Sequence, residues 1–210
     1  MNVPNFYVFD NPIIKEKVSK LRDISRKPSE FRKLVSEIAS LMCYEIFSMT
    51  SLKEYTVTTP LEDTTGFDYS NEFTIIAVLR AGLGMVPGFL NIIPDAKIGM
   101  VGLYRDHDTL KPVQYYCNLP KNIENDEIIV VDPMLATGGS AIDSINVIKN
   151  AGAQNIKFAC LISAPEGVEN LHNTHPDVPI YTASLDRELN NVGYILPGLG
   201  DAGDRIFGTL

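Results

Sequence analysis

The sequence predicts an α/β protein built on a doubly wound parallel sheet, and two observations support that prediction. From Thr74 onward, short apolar runs alternate with segments of helical periodicity, as expected when helices cover both faces of a parallel sheet. The run from Glu127 to Val131 also contains four consecutive β-branched apolar residues. Such a run is typical of a strand that is buried on both faces.

Two helices are predicted before the sheet begins. The first begins near Asn11 and Pro12, because Asn is a favoured N-cap and Pro is favoured at the first helical position. The second begins near Ser29 and has an apolar face formed by Phe31, Leu34, Val35, Ile38, Leu41 and Met42. A helix pair of this kind more often contributes to the core or to subunit contacts than to catalysis. Residues 54–61 then alternate as in a β-strand, and residues 61–66 indicate a turn.

Strands and helices are then predicted in alternation. The predicted strands are Thr74 to Leu79, Lys97 to Leu103, Val113 to Cys117, Glu127 to Val131, Ile156 to Ile162 and Ile180 to Ala183. One helix follows the first of these strands toward Ile92, and another has Ala141, Ile145 and Ile148 on one face and ends at Gly152. We expect one domain over residues 1–210, since no linker-like segment interrupts the chain.

The composition excludes several classes of function. A formal net charge of -8 argues against a broad basic face for nucleic acid or anionic lipid, so any phosphate must be bound locally. Cys43, Cys117 and Cys160 lie among apolar or aromatic neighbours without Cys-x-x-Cys spacing, which indicates reduced core thiols. The amino terminus does not resemble a signal peptide, and no apolar stretch reaches about 18 residues. We therefore expect a cytoplasmic protein.

The segment from Ile128 to Ala141 is the main candidate ligand site. Asp132 follows a predicted strand, at the sheet edge where open α/β proteins bind ligands. The N–H groups of residues 136–140 open the next helix and can bind a small anion. Asp132 has the same charge sign as a phosphate and therefore suits ribose hydroxyls. The alternative is a glycine-rich turn capped by Asp132, and the segment alone does not decide between them. No lysine follows Gly139, which excludes a Walker loop.

Two arginines follow neighbouring predicted strands. Arg80 comes directly after the strand ending at Leu79, and its planar guanidinium is suited to two phosphate oxygens on the same rim as Asp132. Taken alone, this motif favours an ordinary surface arginine. Arg105 is a candidate second ligand for a polyphosphate, on a loop that closes over the site. The polar residues 106–108 suit a solvated connection.

Two other patterns match known sites only formally. His172 and His175 have a metal-like spacing, but we expect them in a polar loop without a nearby cysteine, which disfavours zinc. The glycines of residues 198–203 match the dinucleotide fingerprint, but only seven residues follow, too few for the rest of such a fold. We instead expect a packed loop there, whose main-chain groups contact a flat ligand with Asp201 nearby.

Together these motifs strongly resemble the uracil phosphoribosyltransferase family of type I phosphoribosyltransferases. The resemblance extends from about Leu61 to Thr209 and includes Leu-Arg-Ala-Gly, Tyr-Arg-Asp and the terminal Pro-Gly-Leu-Gly-Asp-Ala-Gly-Asp-Arg. The most specific run is Asp-Pro-Met-Leu-Ala-Thr-Gly-Gly-Ser at residues 132–140. Many other phosphoribosyltransferases have a second acidic residue where Pro133 stands. His107 and Asp108 match the family's mobile loop less closely.

The resemblance implies a pentosyltransferase of pyrimidine salvage. Such an enzyme transfers phosphoribosyl from 5-phospho-α-D-ribose 1-diphosphate (PRPP) to N1 of uracil, giving UMP and diphosphate. Mg²⁺ would be bound mainly through PRPP, with no metal ligand of the protein assigned. The resemblance also implies a homodimer or larger homo-oligomer and raises GTP as a possible allosteric activator. Residues 1–50 would be an N-terminal helical segment and residues 190–210 the uracil-binding loop.

The family's functional residues carry over by motif. Arg80, Arg105, Asp132 and Asp201 would be the catalytic residues. PRPP would be bound by Arg80, Arg105, Asp132, Pro133, Met134, Leu135, Ala136, Thr137, Gly138, Gly139, Ser140 and Asp201. Uracil would be bound by Ile195, Gly200, Asp201 and Ala202.

Two alternatives remain beside this interpretation. A phosphoribosyltransferase-like regulator that binds RNA would need a basic groove, which the acidic composition and the scattered lysines argue against. Within the enzyme class, a different nucleobase is the nearest rival, and the C-terminal segment is the part of the chain that separates the two.

Overall fold

The computed structural model describes residues 3–105 and 112–209 and confirms the predicted α/β class. The strands are β1 (Phe6–Val8), β2 (Leu52–Thr58), β3 (Asp63–Tyr69), β4 (Phe73–Leu79), β5 (Lys97–Arg105), β6 (Pro112–Asn118), β7 (Glu127–Val131), β8 (Met134–Leu135), β9 (Asn155–Ser163), β10 (Ile180–Leu185), β11 (Glu188–Leu189) and β12 (Ile195–Leu196). The α-helices are α1 (Pro12–Arg22), α2 (Pro28–Ile46), α3 (Val86–Leu90), α4 (Gly139–Asn150), α5 (Pro165–Thr174) and α6 (Ala202–Phe207).

The central sheet has the strand order β1-β10-β9-β7-β4-β5-β6, and β8 also pairs with β9. Its neighbouring strands are parallel except for the antiparallel pair β5 and β6. From β4 the chain builds outward to β5 and β6, then returns to the other side of β4 and continues through β7, β9 and β10. The strand order therefore reverses between β4 and β7, and in open α/β sheets ligands bind at such a switch point.

Both faces of the sheet are buried, as the apolar run of β7 predicts. Ile129 and Val131 pack in the cluster that contains the apolar faces of α1 and α2. Ile128 and Val130 pack in the opposite cluster, which contains those of α4 and α5. This alternation agrees with the two-residue period of a strand, whose successive side chains point to opposite faces.

The two predicted N-terminal helices are confirmed. Asn11 caps α1, where its Oδ1 accepts hydrogen bonds from the N–H groups of Ile13 at 2.9 Å and Ile14 at 3.4 Å. Helix α2 begins at Pro28, one residue before the predicted start. Its predicted face is buried, except that Leu34 and Leu41 are only partly covered. The helix predicted toward Ile92 is shorter: a 3₁₀ turn over Ala81–Gly84 precedes α3, which ends at Leu90.

Two other sequence predictions are wrong. The turn predicted over residues 61–66 covers only residues 59–62, because Asp63 already pairs with Thr58 in the β2–β3 hairpin. The Thr59 hydroxyl closes this turn by accepting the N–H groups of Leu61 at 3.2 Å and Glu62 at 3.1 Å. Cys117 is exposed on β6, an edge strand, whereas Cys43 and Cys160 are buried as predicted.

The segments predicted as loops near the C-terminus contain helices. His172 lies in α5 and His175 caps it, and Pro165 begins that helix where its missing N–H costs nothing. Among residues 3–105 and 112–209, no group of three or more His, Cys, Asp or Glu side chains is placed to hold a metal. No helix in those ranges is long and apolar enough to cross a membrane. The last residues form α6, whose N-cap Asp201 accepts the Asp204 N–H at 2.9 Å.

Candidate active site

The candidate site lies at the switch point, beyond the carboxyl ends of β4 and β7. Arg80 follows β4 and Asp132 follows β7, so the two residues share one rim, as the sequence predicts. A Cβ on Gly82 would lie 2.4 Å from the Val131 carbonyl oxygen, so glycine lets the turn after β4 pack against the end of β7. A Cβ on Gly84 would lie 2.7 Å from Ile206 Cδ1. Protein atoms therefore fill the space beside both glycines.

A cavity of about 270 Å³ opens at this rim. Ligand pockets usually have volumes of about 300–1,000 Å³, so this cavity suits a small ligand group. It brings together two predicted segments that are far apart in the chain, the one after β7 and the C-terminal one. Its lining residues are Ala81, Asp132, Met134, Ala136, Val192, Gly193, Tyr194, Ile195, Gly200, Asp201, Ala202 and Gly203.

Asp132 has the most perturbed carboxyl group at the site. Its pKa is raised to about 7, chiefly by burial and to a smaller extent by the charge of Asp201, while the hydrogen bond that Oδ1 accepts from the Met134 N–H at 3.4 Å opposes the rise. An ordinary Asp is fully ionised at neutral pH. Asp132 is instead partly protonated there. In the free protein its negative charge is therefore poorly solvated, and hydroxyl donors of a ligand would stabilise it.

The predicted anion cradle, residues 136–140, is the start of α4. Gly138 has φ +86°, in the left-handed region that favours glycine, and α4 begins at the next residue. The first N–H groups of a helix lack intrahelical acceptors, and the helix dipole gives that end a partial positive charge. No acidic side chain lies in the first turn of α4. The cradle therefore offers donors and a favourable field to a phosphate.

Helix α5 supports this cradle from behind, which sequence reasoning missed. Asn170 Nδ2 donates a hydrogen bond to the Thr137 carbonyl at 2.9 Å. A Cβ on Gly167 would lie 2.3 Å from the Ala136 carbonyl oxygen, so only glycine allows α5 to pack so closely. Gly167 is a weak sequence signal for close packing at this position, and Asn170 gives no signal.

Arg80 is at the rim but points along the surface toward α6. Its side chain is 58% exposed, Nη2 lies 3.7 Å from Asp204 Oδ1, and the guanidinium carbon lies 5.6 Å from the centre of the Phe207 ring. Exposed ion pairs contribute little stability, so this contact can be exchanged for a ligand at small cost. Arg105 ends β5, but its side chain, like residues 106–111 with the predicted Asp106, His107 and Asp108, lies outside the described part of the chain.

The C-terminal loop, residues 197–201, lines the other side of the cavity. Gly198 has φ +60° and Gly200 has φ +79°. A Cβ on Gly198 would lie 2.2 Å from the Ile195 carbonyl oxygen, so the chain can fold back on Ile195 only with glycine there. Of this loop, Gly200, which has no side chain, and Asp201 line the cavity. Val192, Gly193 and Tyr194 also line it; they lie within residues 190–210, the segment predicted to bind uracil, but were not among the residues assigned to the base.

Comparison with known proteins assigns this arrangement to a family. A family model described as uracil phosphoribosyltransferase matches residues 8–209. The uracil phosphoribosyltransferase of Dictyoglomus turgidum is 58% identical over 203 residues, which cover 96% of this chain and 98% of the relative. That of Bacillus licheniformis is 54% identical over 204 residues, with 97% and 98% covered.

Solved structures agree with this assignment. A protein from Aquifex aeolicus superposes with a TM-score of 0.91 at 32% identity, covering 96% of this chain and 97% of that one. The adenine phosphoribosyltransferase of Trypanosoma brucei, solved with AMP, pyrophosphate and ribose-5-phosphate, has a TM-score of 0.58 at 12% identity, with 95% and 89% covered, and this likeness shows the fold alone. The fold is that of type I phosphoribosyltransferases, and the chain belongs to the uracil phosphoribosyltransferase family of enzymes.

Proposed function

We propose that this chain transfers the phosphoribosyl group of PRPP to N1 of uracil, releasing diphosphate and forming UMP for pyrimidine salvage. The observation that carries the proposal is that Asp132 and the C-terminal loop line one and the same cavity. A transfer between two substrates needs both of them held next to one another. This cavity joins the segment after β7, proposed to bind the sugar phosphate, to the C-terminal loop, proposed to bind the base.

The ribose 5-phosphate would lie in the cradle of residues 132–140. The N–H groups at the start of α4 would bind the phosphate, and Asp132 would accept hydrogen bonds from the ribose hydroxyls. Arg80 and Arg105 would bind the diphosphate, where a planar guanidinium can contact two oxygens at once. Asp201 would contact PRPP from the opposite wall of the cavity.

Uracil would be recognised by main-chain groups of Ile195, Gly200, Asp201 and Ala202. These residues line the same cavity as Asp132, which supports a position of the base close to the ribose. Recognition by buried backbone groups discriminates well, because a base with the wrong donors and acceptors leaves those groups unpaired.

Magnesium fits this site as a partner of PRPP rather than as a resident ion. Mg²⁺ usually keeps several waters and binds one or two carboxylates together with substrate phosphates. Asp132 and Asp201 supply two carboxylates near the cavity, and the charge of Asp201 raises the pKa of Asp132, so the two repel each other. A cation carried in with PRPP would relieve that repulsion and neutralise charge on the diphosphate.

The residues of the chain would act mainly by positioning and electrostatics. Cleavage of the anomeric C–O bond builds positive charge on the ribose ring and negative charge on the departing diphosphate. The ionised Asp132 would stabilise the first charge, and the guanidinium of Arg80 the second, each fixed where the charge develops. No covalent nucleophile is required by this scheme.

Four further features complete the proposal: the domain organisation and the location follow from the sequence pattern, and the oligomeric state and GTP from the family resemblance. The chain would act as one domain over residues 1–210, in the cytoplasm, and as a homodimer or larger homo-oligomer. GTP is a candidate allosteric activator, and adding it to the assay below at subsaturating PRPP tests whether it activates.

The proposal is tested by mixing the protein with Mg²⁺, PRPP and one nucleobase at a time, and measuring diphosphate release. We expect release with uracil and not with cytosine, adenine, guanine or hypoxanthine. An Asp132→Asn variant serves as the control for the PRPP half, with a raised KM for PRPP. Release with a purine alone, or no release with uracil, would overturn the proposal.

A further inference from the structure

The C-terminal loop is fixed by side chains from two distant parts of the chain. Asp186, directly after β10, accepts a hydrogen bond from the Gly198 N–H at 2.8 Å through Oδ2. Arg22, the last residue of α1, donates from Nη1 to the Gly198 carbonyl at 2.7 Å. The N–H and the C=O of Gly198 are therefore bound by opposite members of one ion pair.

This ion pair is bidentate and largely buried. Arg22 Nη1 lies 2.7 Å from Asp186 Oδ2, and Nη2 lies 2.6 Å from Oδ1. The Asp186 side chain is only 3% exposed and that of Arg22 is 24% exposed. Burial alone would raise the pKa of Asp186, but the hydrogen bonds from Arg22 and from the Gly198 N–H hold it below its usual value. The Ser184 hydroxyl completes the arrangement, donating to Asp186 Oδ1 at 3.1 Å.

The geometry matters because, in the proposed function, this loop contacts the base through backbone groups. A side chain can change rotamer to meet a ligand, whereas a backbone N–H or C=O is only as well placed as the chain that contains it. Gly198 and Gly200 adopt positive φ. Because glycine is free to adopt many other conformations, the loop needs contacts from outside to hold this one. Binding groups must be held within about 0.5 Å of their productive positions.

We propose that Arg22 and Asp186 are positioning residues for base recognition, which set the backbone of the C-terminal loop that contacts the base. The inference rests on the proposed function, since it takes uracil to bind at this loop. It gives α1 a part in specificity. Neither residue touches the ligand cavity, so both act through Gly198.

The test compares the KM values for uracil and for PRPP in the wild type and in Asp186→Asn. Asn keeps the acceptor for the Gly198 N–H but loses the charge that fixes Arg22. We expect the KM for uracil to rise about tenfold, the factor that corresponds to 1.4 kcal/mol. The KM for PRPP should rise much less, because the cradle of residues 136–140 is built from other elements and Asp201 is the one residue of the loop assigned to PRPP.

Asp126→Asn is the matched control. The Asp126 side chain is 5% exposed, lies 3.2 Å from Lys97 Nζ and accepts a hydrogen bond from Thr74 Oγ1 at 2.6 Å. It precedes β7, at the amino ends of the strands and away from the cavity. Loss of this buried charge should lower thermal stability as the loss of Asp186 does, but leave both KM values as in the wild type.

A double variant distinguishes a joint action from two separate effects. If Arg22 and Asp186 act as one unit, Arg22→Gln combined with Asp186→Asn should raise the KM for uracil no further than either change alone. Should Asp186→Asn fail to fold, Ser184→Ala removes one support and should give a smaller rise in the same constant.

Three results would contradict one or both of the proposals. Wild-type turnover of uracil with an unchanged uracil KM in Asp186→Asn, or in Ser184→Ala if that variant must stand in, would overturn this inference and leave the proposed function standing. Equal rises in the two KM values would also overturn it, since they indicate general loosening of the fold. A wild type that does not use uracil would overturn the proposed function, and this inference with it.

Discussion

Replacement of Asp132 by Asn should stabilise the free protein at alkaline pH, although it removes a residue that we assign to substrate binding. Burial raises the pKa of this carboxyl from its ordinary value of 3.8 to about 7. One pKa unit corresponds to 1.36 kcal/mol, so the full effect is at most about 4 kcal/mol. The residue is only partly buried, so we expect the effect on the free energy of unfolding to be about 1–2 kcal/mol.

The sign follows from proton linkage. Between about pH 4 and pH 7 the folded wild type holds a proton on Asp132 that the unfolded chain has lost. Unfolding therefore releases a proton, and the stability of the wild type falls as the pH rises through this window. Above about pH 7 the folded protein must keep an ionised, poorly solvated carboxylate. Asn stays neutral, and its Oδ1 can still accept the Met134 N–H, so the variant avoids this cost.

The assay is urea unfolding of the wild type and Asp132→Asn at pH 4.5 and pH 8, without PRPP. The two proteins should be nearly equal in stability at pH 4.5, and the variant should be more stable at pH 8. Asp186→Asn is a control of opposite sign, because the pKa of Asp186 is lowered and its charge stabilises the fold above about pH 4. If Asp132→Asn shows the same stability difference at both pH values, the carboxylate is not destabilised in the free protein.

Three further predictions concern the other site residues and the cysteines. Arg80→Ala should lower kcat about 100-fold while leaving the melting temperature nearly unchanged, since its contact with Asp204 is an exposed ion pair; turnover at the wild-type rate would remove its assigned role. Binding of Mg²⁺ and PRPP at pH 7 should release more protons from the wild type than from Asp132→Asn, because ribose hydroxyls favour the ionised carboxylate, and calorimetry in two buffers measures the difference. A thiol reagent should label one exposed cysteine, Cys117, and spare Cys43 and Cys160, whose pKa values burial raises to about 12; mass spectrometry identifies the labelled residue, and labelling of either buried thiol in the folded protein would contradict this.

The parts of the fold that the sequence predicts are those whose signal is local. The apolar run of β7 and the capped start of α1 both follow from neighbouring residues, and both are confirmed. The end of helix α5 is predicted as a polar loop because His172, Asn173 and Thr174 are consecutive polar residues, and the helix has only two apolar side chains, Val168 and Leu171, beside its proline. Its buried position depends on the close packing of Gly167 against the Ala136 carbonyl, which no local pattern reveals.

The same distinction applies to the site. Asp132 and the cradle after it were predicted because a strand, an acid and a glycine-rich turn are consecutive in the chain. The supports of the site are distant in sequence: Asn170 holds the cradle across 33 positions, and Arg22 reaches Gly198 across 176. An arginine at the end of a helix and an aspartate after a strand are each common, so only the fold reveals that they meet.

The N-terminal helices illustrate why such supports matter for function. The sequence favoured a packing role for them, and α1 and α2 do contribute to the core. They also bind the C-terminal segment through main-chain acceptors: Arg22 donates to the Gly198 carbonyl, and Arg32 donates to the Ile206 carbonyl at 2.8 Å. In the opposite direction, Arg205 donates to the Asp23 carbonyl at 2.6 Å. In the proposed function the loop recognises uracil by backbone groups, and such a loop must be held by groups that bind its backbone. The first helices of the chain therefore fix the geometry of the last loop, and changes in either should alter base affinity before they alter the binding of PRPP.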